Sequence, residues 1–501
     1  MSARVTRSVV VHGHFYQPPR ENPWTGVVDR EPSAAPFHDW NQRIESECYA
    51  PMASARVLGS DGSIEHRDNL YAAVSFDVGP TLFEWLENSA PETYAAILEA
   101  DRLSVAKLGH GNAIAMPYHH TILPLASRRD KVTEVRWGIA DFRRRFAREP
   151  EGMWLPETAV DEETLEVLTE EGIRFTVLAP HQVKSRSPSG LPLRFRAGRG
   201  REIALCIYDG VISGEIAFGR LLTDGALLAN RLAPPVAAGK TAAGRGVNVS
   251  ARGVELTAAA TDGETFGHHH KFGEMALARA FRILSGRSDV RSENFASFLA
   301  KNPPLEDAVL VAPSSWSCTH GVERWRSDCG CRMVPGKSNS QAWRGPLRDA
   351  LEWLAGELHE IFEQEGRGLF TEDPWKLRDR YGEVMGSPED AKRAFAAHSV
   401  KPPITDARIE RAAELLEIER GALRMFTSCA WFFDDLARIE TIQVLRYAAF
   451  AIELSGDSAR LEAGLLARIG DARSNDLKEG TGRDIWLTKV KPHHPTASLQ
   501  A

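Results

Sequence analysis

Short apolar runs alternate with amphipathic stretches through the first two thirds of the chain, and this alternation constrains the fold more than any other feature. Residues 9–11 and 175–179 have the apolar, β-rich character of buried strands. Residues 131–148 instead carry apolar side chains at helical spacing. Strands that alternate with helices predict a parallel sheet or a barrel.

Side chains that can carry chemistry follow several of the predicted strands. In chain order they are His12 and His14 after residues 9–11, Glu157 after Trp154, Asp262 after residues 254–259, and Trp316 and His320 after residues 309–312. Active residues at the carboxyl ends of several strands are typical of a β/α barrel, although an open doubly wound sheet would also place a site there. No glycine-rich phosphate loop follows the first strand, which argues against a nucleotide-binding fold.

The character of the chain changes near residue 340. The segments with helical periodicity and no intervening strand signal are residues 343–365, 388–397, 405–426 and 437–452. We therefore predict a barrel over residues 1–335, a helical bundle packed on it over residues 340–480, and a tail over residues 481–501. Residues 184–200 and 237–252, rich in loop-forming residues, are predicted to be loops or insertions in the barrel.

Composition and charge exclude some functions for these 501 residues. The net charge of −7 argues against nucleic acid or an anionic membrane surface as the main partner. The sequence lacks a continuous apolar run long enough to span a membrane, and its first residues lack the pattern of a secretory signal, so we expect a non-secreted, cytoplasmic protein. Six cysteines in this length do not predict a disulfide framework. The oligomeric state stays open.

Two carboxylates at separate strand ends are the strongest functional signal. Glu157 closes the segment Trp-Leu-Pro-Glu, and Asp262 opens the segment Asp-Gly-Glu-Thr-Phe-Gly-His. A pair of acids with aromatic neighbours suggests cleavage of a sugar bond. The simpler interpretations are an acid at a helix start and a tight Asp-Gly turn. Chemistry alone leaves open whether Asp262 or Glu264 faces the site.

Other residues could bind a sugar, because His, Gln and carboxylate groups hydrogen-bond hydroxyls and aromatic rings stack on sugar faces. The candidates for substrate binding are His12, His14, Gln17, Trp24, His120, Trp154, Glu264, His268, Trp316, His320, Trp431 and Asp435. The alternative for the candidates within residues 12–19 is a polar strand end capped by two prolines. The alternative for Trp431 is an ordinary place in the core of the helical bundle.

Two groups of residues raise the question of a metal. Three thiols and an imidazole, at Cys318, His320, Cys329 and Cys331, suit zinc, although their spacing is not the usual C-x2-C pair. The alternative is a loop of buried thiols. The pair at 119–120 lacks a third ligand at a known spacing. We therefore predict a site that uses no metal or other cofactor, and leave zinc binding by the cysteines open.

Taken together, these motifs resemble glycoside hydrolase family 57. Members of that family act on α-glucans as amylases, 4-α-glucanotransferases, branching enzymes or pullulanases, and some are α-galactosidases. The resemblance covers roughly residues 8–450 and implies a (β/α)7-type barrel followed by a C-terminal helical region. It also implies a retaining mechanism and an α-glucan or oligosaccharide substrate.

The family motifs map onto this chain residue by residue. The first, His-Gln-Pro, appears as His14-Phe15-Tyr16-Gln17-Pro18 with two residues inserted, and the second is loosely matched by residues 119–125. The third implies that Glu157 is the nucleophile, and the fourth implies that Asp262 is the acid/base residue. The fifth falls around residues 431–435. Thr158 stands where many members have Cys.

The chain looks most like a branch of the family that carries the Trp316–Cys331 block. Longer members of this branch continue past residue 501, so a further C-terminal piece is expected. Two other functions stay open: a metal-dependent polysaccharide deacetylase with an Asp-His-His site, and a non-catalytic glycan-binding protein. The usual deacetylase signatures are absent from the sequence, and both expected acids of the glycosidase are present.

Overall fold

The computed structural model describes residues 6–185, 190–235, 254–333 and 339–491. They form two compact units, which we name the α/β unit and the helical unit. The α/β unit comprises Met1–Gln17, Arg30–Met116 and Arg145–Ala312, and the helical unit comprises Pro18–Asp29, Pro117–Arg144 and Pro313–Ala501. The units are therefore interleaved in sequence, whereas the sequence analysis drew one boundary near residue 335. The reason is that early segments pack with late helices, as where the Nε1–H of Trp137 donates to the carbonyl of Arg378 at 2.8 Å.

Nine strands lie in the described part of the chain, all of them in the α/β unit. They are β1 Thr6–Phe15, β2 Ala55–Leu58, β3 Ile64–Asp68, β4 Ser75–Val78, β5 Phe175–Leu178, β6 Leu193–Arg196, β7 Glu202–Ile207, β8 Val254–Asp262 and β9 Val290–Ser292.

The α-helices of the described residues are distributed over both units. Those of the α/β unit are α1 Trp40–Ile44, α2 Ala50–Ala53, α3 Pro80–Ser89, α4 Pro91–Leu108, α6 Glu162–Glu170, α7 Gly210–Ala217, α8 Gly225–Leu232, α9 Gly273–Ser285 and α10 Phe295–Lys301. Those of the helical unit, with α5 numbered by its place in the chain, are α5 Arg128–Phe146, α11 Arg344–Leu369, α12 Pro374–Tyr381, α13 Glu389–Ser399, α14 Asp406–Arg424, α15 Cys429–Phe432, α16 Ile439–Leu454, α17 Ser458–Ile469 and α18 Gly482–Ile485. None of these helices is long and apolar enough to cross a membrane.

Strand β1 is the centre of the main sheet. It pairs in parallel with β8 through residues 6–14, with β4 through residues 12–15 and with β9 through residues 7–9. The side chains of Val9, Val10 and Val11 are at most 1% exposed, as expected for a parallel strand covered on both faces. The predicted first strand and the α/β class are therefore confirmed.

Parallel pairing continues beyond β4 through short segments. The links in order are the bridges Phe76↔Ala113, Ala115↔Met153 and Gly152↔Phe175, followed by the β5–β7 pair. After β7, the backbone N–H of Asp209 donates to the carbonyl of Ala258 in β8 at 2.7 Å. Hydrogen bonds between adjacent chain segments therefore lead from β1 round to β8, which itself pairs with β1.

The segment 184–200, predicted to be a loop or an insertion, contains β6, which pairs antiparallel with β7 and buries Leu193. Another local prediction is wrong. Residues 309–312 were predicted to be a strand of the sheet, but Leu310 forms only an antiparallel bridge with Val183, and Val309 is 55% exposed. The apolar residues 309–312 therefore make a contact at an edge and do not form a strand of the sheet. Residues 237–252 lie outside the described residues.

The helical unit is built on long amphipathic helices. The four helical segments predicted after residue 340 are confirmed as α11, α13, α14 and α16. The predicted apolar face of α14 is buried, with Leu415, Leu416 and Ile418 at 0% exposure. Residues 482–490, which were expected to belong to a tail, are helical, and Trp486 among them is 2% exposed.

A buried network of charges joins four helices of this unit, α5, α11, α12 and α14. The guanidinium of Arg378 in α12 donates to Glu419 Oε2 at 2.7 Å and to Asp130 Oδ1 at 2.8 Å. His359 Nδ1 lies 2.9 Å from Glu419 Oε1. Burial alone would lower the pKa of His359, but the carboxylates of Glu419 and Asp130 raise it to about 9.

The raised pKa of His359 predicts a loss of stability in alkali. A pKa that rises from 6.5 to about 9 on folding contributes stability that is complete below pH 6.5 and is lost as pH climbs through about 9. We expect His359→Gln to lower the free energy of unfolding below pH 6.5 by up to about 3 kcal/mol, and to flatten its alkaline decline. Urea unfolding across this pH range measures the effect. The exposed-site control, His398→Gln, should retain the native decline, and an equal slope in both variants would contradict the prediction.

Candidate active site

Three neighbouring parallel strands bring an acid, a histidine and an acid into one row. In the register of the sheet, His14 of β1 stands opposite Asp77 of β4 on one side and Asp262 of β8 on the other. Paired residues on adjacent strands lie about 5 Å apart, so the three side chains are neighbours by construction. The row lies at the carboxyl ends of the strands, where the sequence analysis expected the site.

Hydrogen bonds fix both histidines of β1 to Asp77. His14 Nδ1 lies 2.8 Å from Asp77 Oδ2, and His12 Nε2 lies 3.0 Å from Asp77 Oδ1. The other ring nitrogen of His12 lies 3.2 Å from Ser75 Oγ. The indole of Trp154 stacks on both imidazoles, with ring centroids 4.8 Å from His12 and 5.2 Å from His14. The orientation of His14 is therefore held by a carboxylate and by a ring.

The electrostatics of the row favour a charged His14. Burial alone would lower its pKa, but the carboxylates of Asp77, Asp262 and Glu157 raise it above the ordinary value. Burial likewise opposes the ionised form of Asp77, yet His14 and His12 hold its pKa below the ordinary value. His12 differs from His14, because its complete burial lowers its pKa despite the hydrogen bond that its ring makes to the carboxylate of Asp77. The row thus holds one cation between carboxylates.

Asp262 has the opposite tendency from Asp77. Burial, followed by the negative charges of Glu157 and Asp77, raises its pKa to about 6 against the opposing effect of His14. Asp262 is nevertheless an exposed residue, so its carboxyl group has protein packed around it but still contacts solvent. This solvent contact weakens the rise in pKa without reversing its direction. Asp262 is therefore the carboxyl group of the row best suited to carry a proton.

Glu157 sits on a strained turn, Pro156–Thr158. Both Glu157, with φ of 57°, and Thr158, with φ of 49°, occupy the left-handed region that non-glycine residues avoid. Such conformations cost about 1–3 kcal/mol each and cluster at functional sites. The amide of Gln182 clamps the turn, because its Nε2 donates to the carbonyl of Thr158 at 2.7 Å. The negative charge of Glu157 contributes to the raised pKa values of both His14 and Asp262. The carboxylate of Glu157 therefore acts on the row.

The segment after Asp262 is shaped by close packing. A Cβ atom at Gly263 would lie 2.3 Å from Cδ1 of Phe15, so only glycine fits beside that ring. The next residue, Glu264, accepts a short hydrogen bond from Nε2 of Gln17. His268 pairs closely with Glu47. The Asp-Gly-Glu segment therefore turns sharply and directs Asp262 and Glu264 to different partners.

Eight of the predicted site residues belong to the α/β unit. They are His12, His14, Gln17, Trp154, Glu157, Asp262, Glu264 and His268. His12 and Trp154 are both 0% exposed, so their role here is to support His14 and they offer no surface to a sugar. Glu264, His268 and the neighbouring His269 could hold a cation, because one ligand atom from each lies within 4.8 Å of the others.

Six predicted residues belong to the helical unit instead. They are Trp24, His120, Trp316, His320, Trp431 and Asp435. Trp24 donates to Glu453 Oε2 at 2.8 Å, and His120 Nδ1 lies 2.6 Å from Ser428 Oγ.

Trp431 and Asp435 have structural partners within this unit. Trp431 is 0% exposed and donates through Nε1 to the carbonyl of Arg344 at 3.2 Å. Asp435 accepts from Ser474 Oγ at 2.9 Å and from the backbone N–H of Asn475 at 2.6 Å. The bundle-core interpretation therefore fits the contacts of Trp431.

His320 belongs to a second candidate ligand group, formed with Cys318, Cys329 and Cys331. Its Nδ1 lies 3.6 Å from the sulfur of Cys331. This contact was among the alternatives considered from sequence, and it competes with the predicted role in substrate binding.

Sequence reasoning missed two residues of the candidate site. Asp77 directly follows the apolar run 72–76, so the rule that polar residues after strands form the site would have found it. Gln182, which is 0% exposed, carries no comparable signal, because its partner Thr158 lies 24 positions earlier in the chain.

The fold and the site together define an α/β protein with a carboxylate–imidazole centre at the carboxyl ends of parallel strands. Residues 27–293, just over half of the chain, match the family described as glycosyl hydrolase family 57. The chain therefore belongs to that family. Residues 340–499 match a second family, described as a domain of unknown function (DUF3536).

Individual relatives are distant. The chain is 26% identical to an alpha-amylase of Pyrococcus horikoshii over 167 residues, which are 33% of this chain and 24% of that protein. Its fold is similar to an exo-type maltose-forming amylase from Pyrococcus sp. ST04, with a TM-score of 0.70, 17% identity, and coverage of 92% of this chain and 83% of the other. A branching enzyme of Pyrococcus horikoshii gives a TM-score of 0.54 and 15% identity, over 97% and 96% of the two chains.

The row predicts a measurable coupling between Asp77 and His14. We expect Asp77→Asn to lower the pKa of His14, because burial then acts with one carboxylate fewer to oppose it. An NMR titration of the imidazole protons, assigned with a His14→Gln variant, measures the shift. Asp39→Asn, beside the exposed His38, should leave His14 unchanged. An unaltered pKa for His14 in Asp77→Asn would show that the carboxylate does not sustain its charge.

Proposed function

We propose that this protein is a retaining glycoside hydrolase or glucanotransferase that acts on α-glucan through a covalent glycosyl-enzyme. The observation that carries the proposal is that His14 and Asp262 stand on the neighbouring strands β1 and β8, that the charge of Glu157 acts on both, and that Asp262 is inclined to hold a proton. Membership of family 57 and the amylase named among the sequence relatives support the same substrate class. A retaining mechanism needs one carboxyl group as the nucleophile and another as the acid/base, and we assign these roles to Glu157 and Asp262.

In the first step, Glu157 attacks the anomeric carbon while the protonated carboxyl group of Asp262 gives its proton to the departing glycosidic oxygen. The bond to the leaving sugar breaks, and an ester bond to Glu157 forms. In the second step, the carboxylate of Asp262 removes a proton from water or from a sugar hydroxyl. That oxygen attacks the anomeric carbon and releases Glu157. This mechanism requires about 5–5.5 Å between the two carboxyl groups.

His14 acts as a positioning residue in this mechanism. Nearby carboxylates, among them those of Asp262 and Glu157, favour its charged form, while Asp77 and the indole of Trp154 hold its ring in place. The strained turn at Glu157 supports the assignment of the nucleophile, because strain at a functional turn is retained where geometry matters for reaction. Asp77 keeps its own negative charge through two imidazoles and so favours the neutral form of Asp262.

We infer that the α/β unit is a (β/α)7-type barrel. The inference is supported by seven strands or extended segments, namely β1, β4, residues 113–115, residues 152–154, β5, β7 and β8. Each is hydrogen-bonded to the next, and β8 is bonded to β1. The active residues of such barrels lie at the carboxyl ends of the strands, as His14, Asp77 and Asp262 do here.

The remaining candidates for substrate binding are kept as proposals. Gln17, Glu264 and His268 offer polar atoms near the row, and the partly exposed Trp24 and Trp316 offer rings. A metal-dependent deacetylase is less well supported. Such an enzyme would use imidazoles as ligands, but both ring nitrogens of His12 are already engaged by Ser75 and Asp77.

Substitution of the two acids tests the mechanism. We expect Glu157→Gln to reduce cleavage of maltoheptaose and amylose to background. Asp262→Asn should slow it by about 10²–10⁴-fold, with a smaller loss on aryl glucosides whose leaving group needs no proton. NMR of the first product should show retained anomeric configuration. Glu65→Gln, on the exposed strand β3, is the matched control and should keep full activity.

The sugars formed in this reaction distinguish hydrolysis, transfer and branching within the proposed class of enzymes. Shorter sugars alone mean hydrolysis, longer sugars beside them mean transfer, and new branch points mean branching. Activity that survives in Glu157→Gln would contradict the assignment of the nucleophile. Inverted products would contradict the retaining mechanism, and the absence of products from any α-glucan would overturn the substrate class.

The raised pKa of Asp262 predicts the alkaline side of the pH profile. Because Asp262 must carry a proton in the first step, kcat/KM should fall as pH rises through about 6, the value of its pKa in the free enzyme. Initial rates on maltoheptaose across this range provide the measurement. In Asp262→Asn this limb should disappear from the residual activity on aryl glucosides. A limb that persists in the variant would belong to another group.

A further inference from the structure

A cluster of three thiols and one imidazole lies in the helical unit, apart from the residues of the proposed mechanism. Sulfur or nitrogen atoms of Cys318, His320, Cys329 and Cys331 all lie within 4.8 Å of one another. Only 13 positions separate the first from the last in the chain, and none of the four residues lies in a helix or strand. The loop that carries them folds back on itself to bring the four groups together.

The distances within the cluster match a tetrahedral metal site. Bonds of about 2.3 Å to sulfur and 2.0 Å to nitrogen, arranged tetrahedrally, place two sulfurs about 3.8 Å apart and a sulfur and a nitrogen about 3.5 Å apart. The sulfur of Cys318 lies 3.9 Å from that of Cys329 and 3.7 Å from that of Cys331. Cys331 Sγ lies 3.6 Å from His320 Nδ1. A disulfide, in contrast, needs about 2.05 Å between sulfurs.

Backbone N–H groups surround the sulfur atoms of the cluster. The N–H groups of His320 and Arg324 are directed to the thiol of Cys318, and those of Cys331 and Thr319 to the thiols of Cys329 and Cys331. Hydrogen bonds to ligand atoms are the usual outer support of a metal site. Gly330, with φ of +81°, makes the tight turn that lets Cys329 and Cys331 face the same point.

Two buried arginines beside the loop supply a complementary charge. Arg324 and Arg344 are 4% and 0% exposed. Their hydrogen bonds go to backbone carbonyls, including that of Cys331, and neither forms a salt bridge with a carboxylate among the residues that the structure describes. Buried cations need a counter-charge, and Asp434 supplies part of it to Arg344. Three thiolates with one divalent ion and a neutral imidazole carry a net charge of −1, which would offset one of the two positive charges.

We propose that Cys318, His320, Cys329 and Cys331 bind one zinc ion in a closed, structural site. Three thiolates and one imidazole form a set that zinc prefers, and the four protein ligands leave no position for a substrate. The ion would tie together the loop between Ser314 and Met333. That loop is in turn joined to the rest of the helical unit where the N–H of Met333 donates to Asp434 Oδ1 at 2.9 Å.

The test measures metal in the full chain and needs no glucan activity. The chain is purified from zinc-supplemented cells without chelator, and metals are counted by elemental mass spectrometry. We expect one zinc per chain. Cys318→Ser and Cys331→Ser should each lower the zinc content by about tenfold or more, because each removes a ligand. Cys429→Ser, which removes a thiol of the same unit outside the cluster, is the matched control and should keep the zinc.

A second measurement holds even where a cysteine variant fails to fold. Exchange of zinc for Co²⁺ in the unaltered chain should give thiolate-to-cobalt charge-transfer absorption and the intense visible bands of tetrahedral cobalt, and chelator should lower the unfolding temperature. Zinc-free chain with reactive thiols, a disulfide between the cysteines, or octahedral cobalt spectra would each overturn the proposal. So would equal zinc content in Cys331→Ser and Cys429→Ser, or an iron–sulfur cluster in place of zinc.

Discussion

The parallel pairing of β1 with β4 and β8 is the constraint on which the site depends. Because the three strands run in one direction and in fixed register, His14 must lie between Asp77 and Asp262. A slip of one residue would turn His14 to the other face and break the row. The valines at positions 9–11 support the register, since they are buried on both faces of β1 and a slip would disturb their packing. Core packing and site geometry are therefore one constraint.

The row also explains how two similar carboxyl groups acquire different chemistry. Asp77 is paired on both oxygens with imidazoles, so its negative charge is supported. Asp262 stands on the other side of His14 with two anions nearby, so its proton is favoured. Environment rather than residue type separates the two acids. The same principle operates in the helical unit, where burial would lower the pKa of His359 but the carboxylates of Glu419 and Asp130 raise it.

Much of the fold and the core of the candidate site could be predicted from the sequence. Helices such as α14 were predicted because their apolar spacing reports which face is buried. Strand β6 was missed, because residues 193–196 are short and their neighbours look like a loop. Residues 309–312 were taken for a strand of the sheet, because an apolar run does not reveal whether it joins the sheet or lies at an edge. Trp154 and His12 were chosen as residues that could touch sugar, yet both are buried against His14.

The sequence by itself determined the family and the alternation of strands and helices, and it indicated the two acids that we propose for the mechanism, because each of these is encoded in neighbouring residues. Only the tertiary structure decided the interactions between residues that are distant in the chain. One is the hydrogen bond between His14 and Asp77, which lie 63 positions apart, and another is the hydrogen bond by which Gln182 clamps the strained turn of Glu157. It also decided that His320 faces the thiol of Cys331. Charge, burial and ligand geometry arise when the chain brings such residues together, so no local pattern can state them.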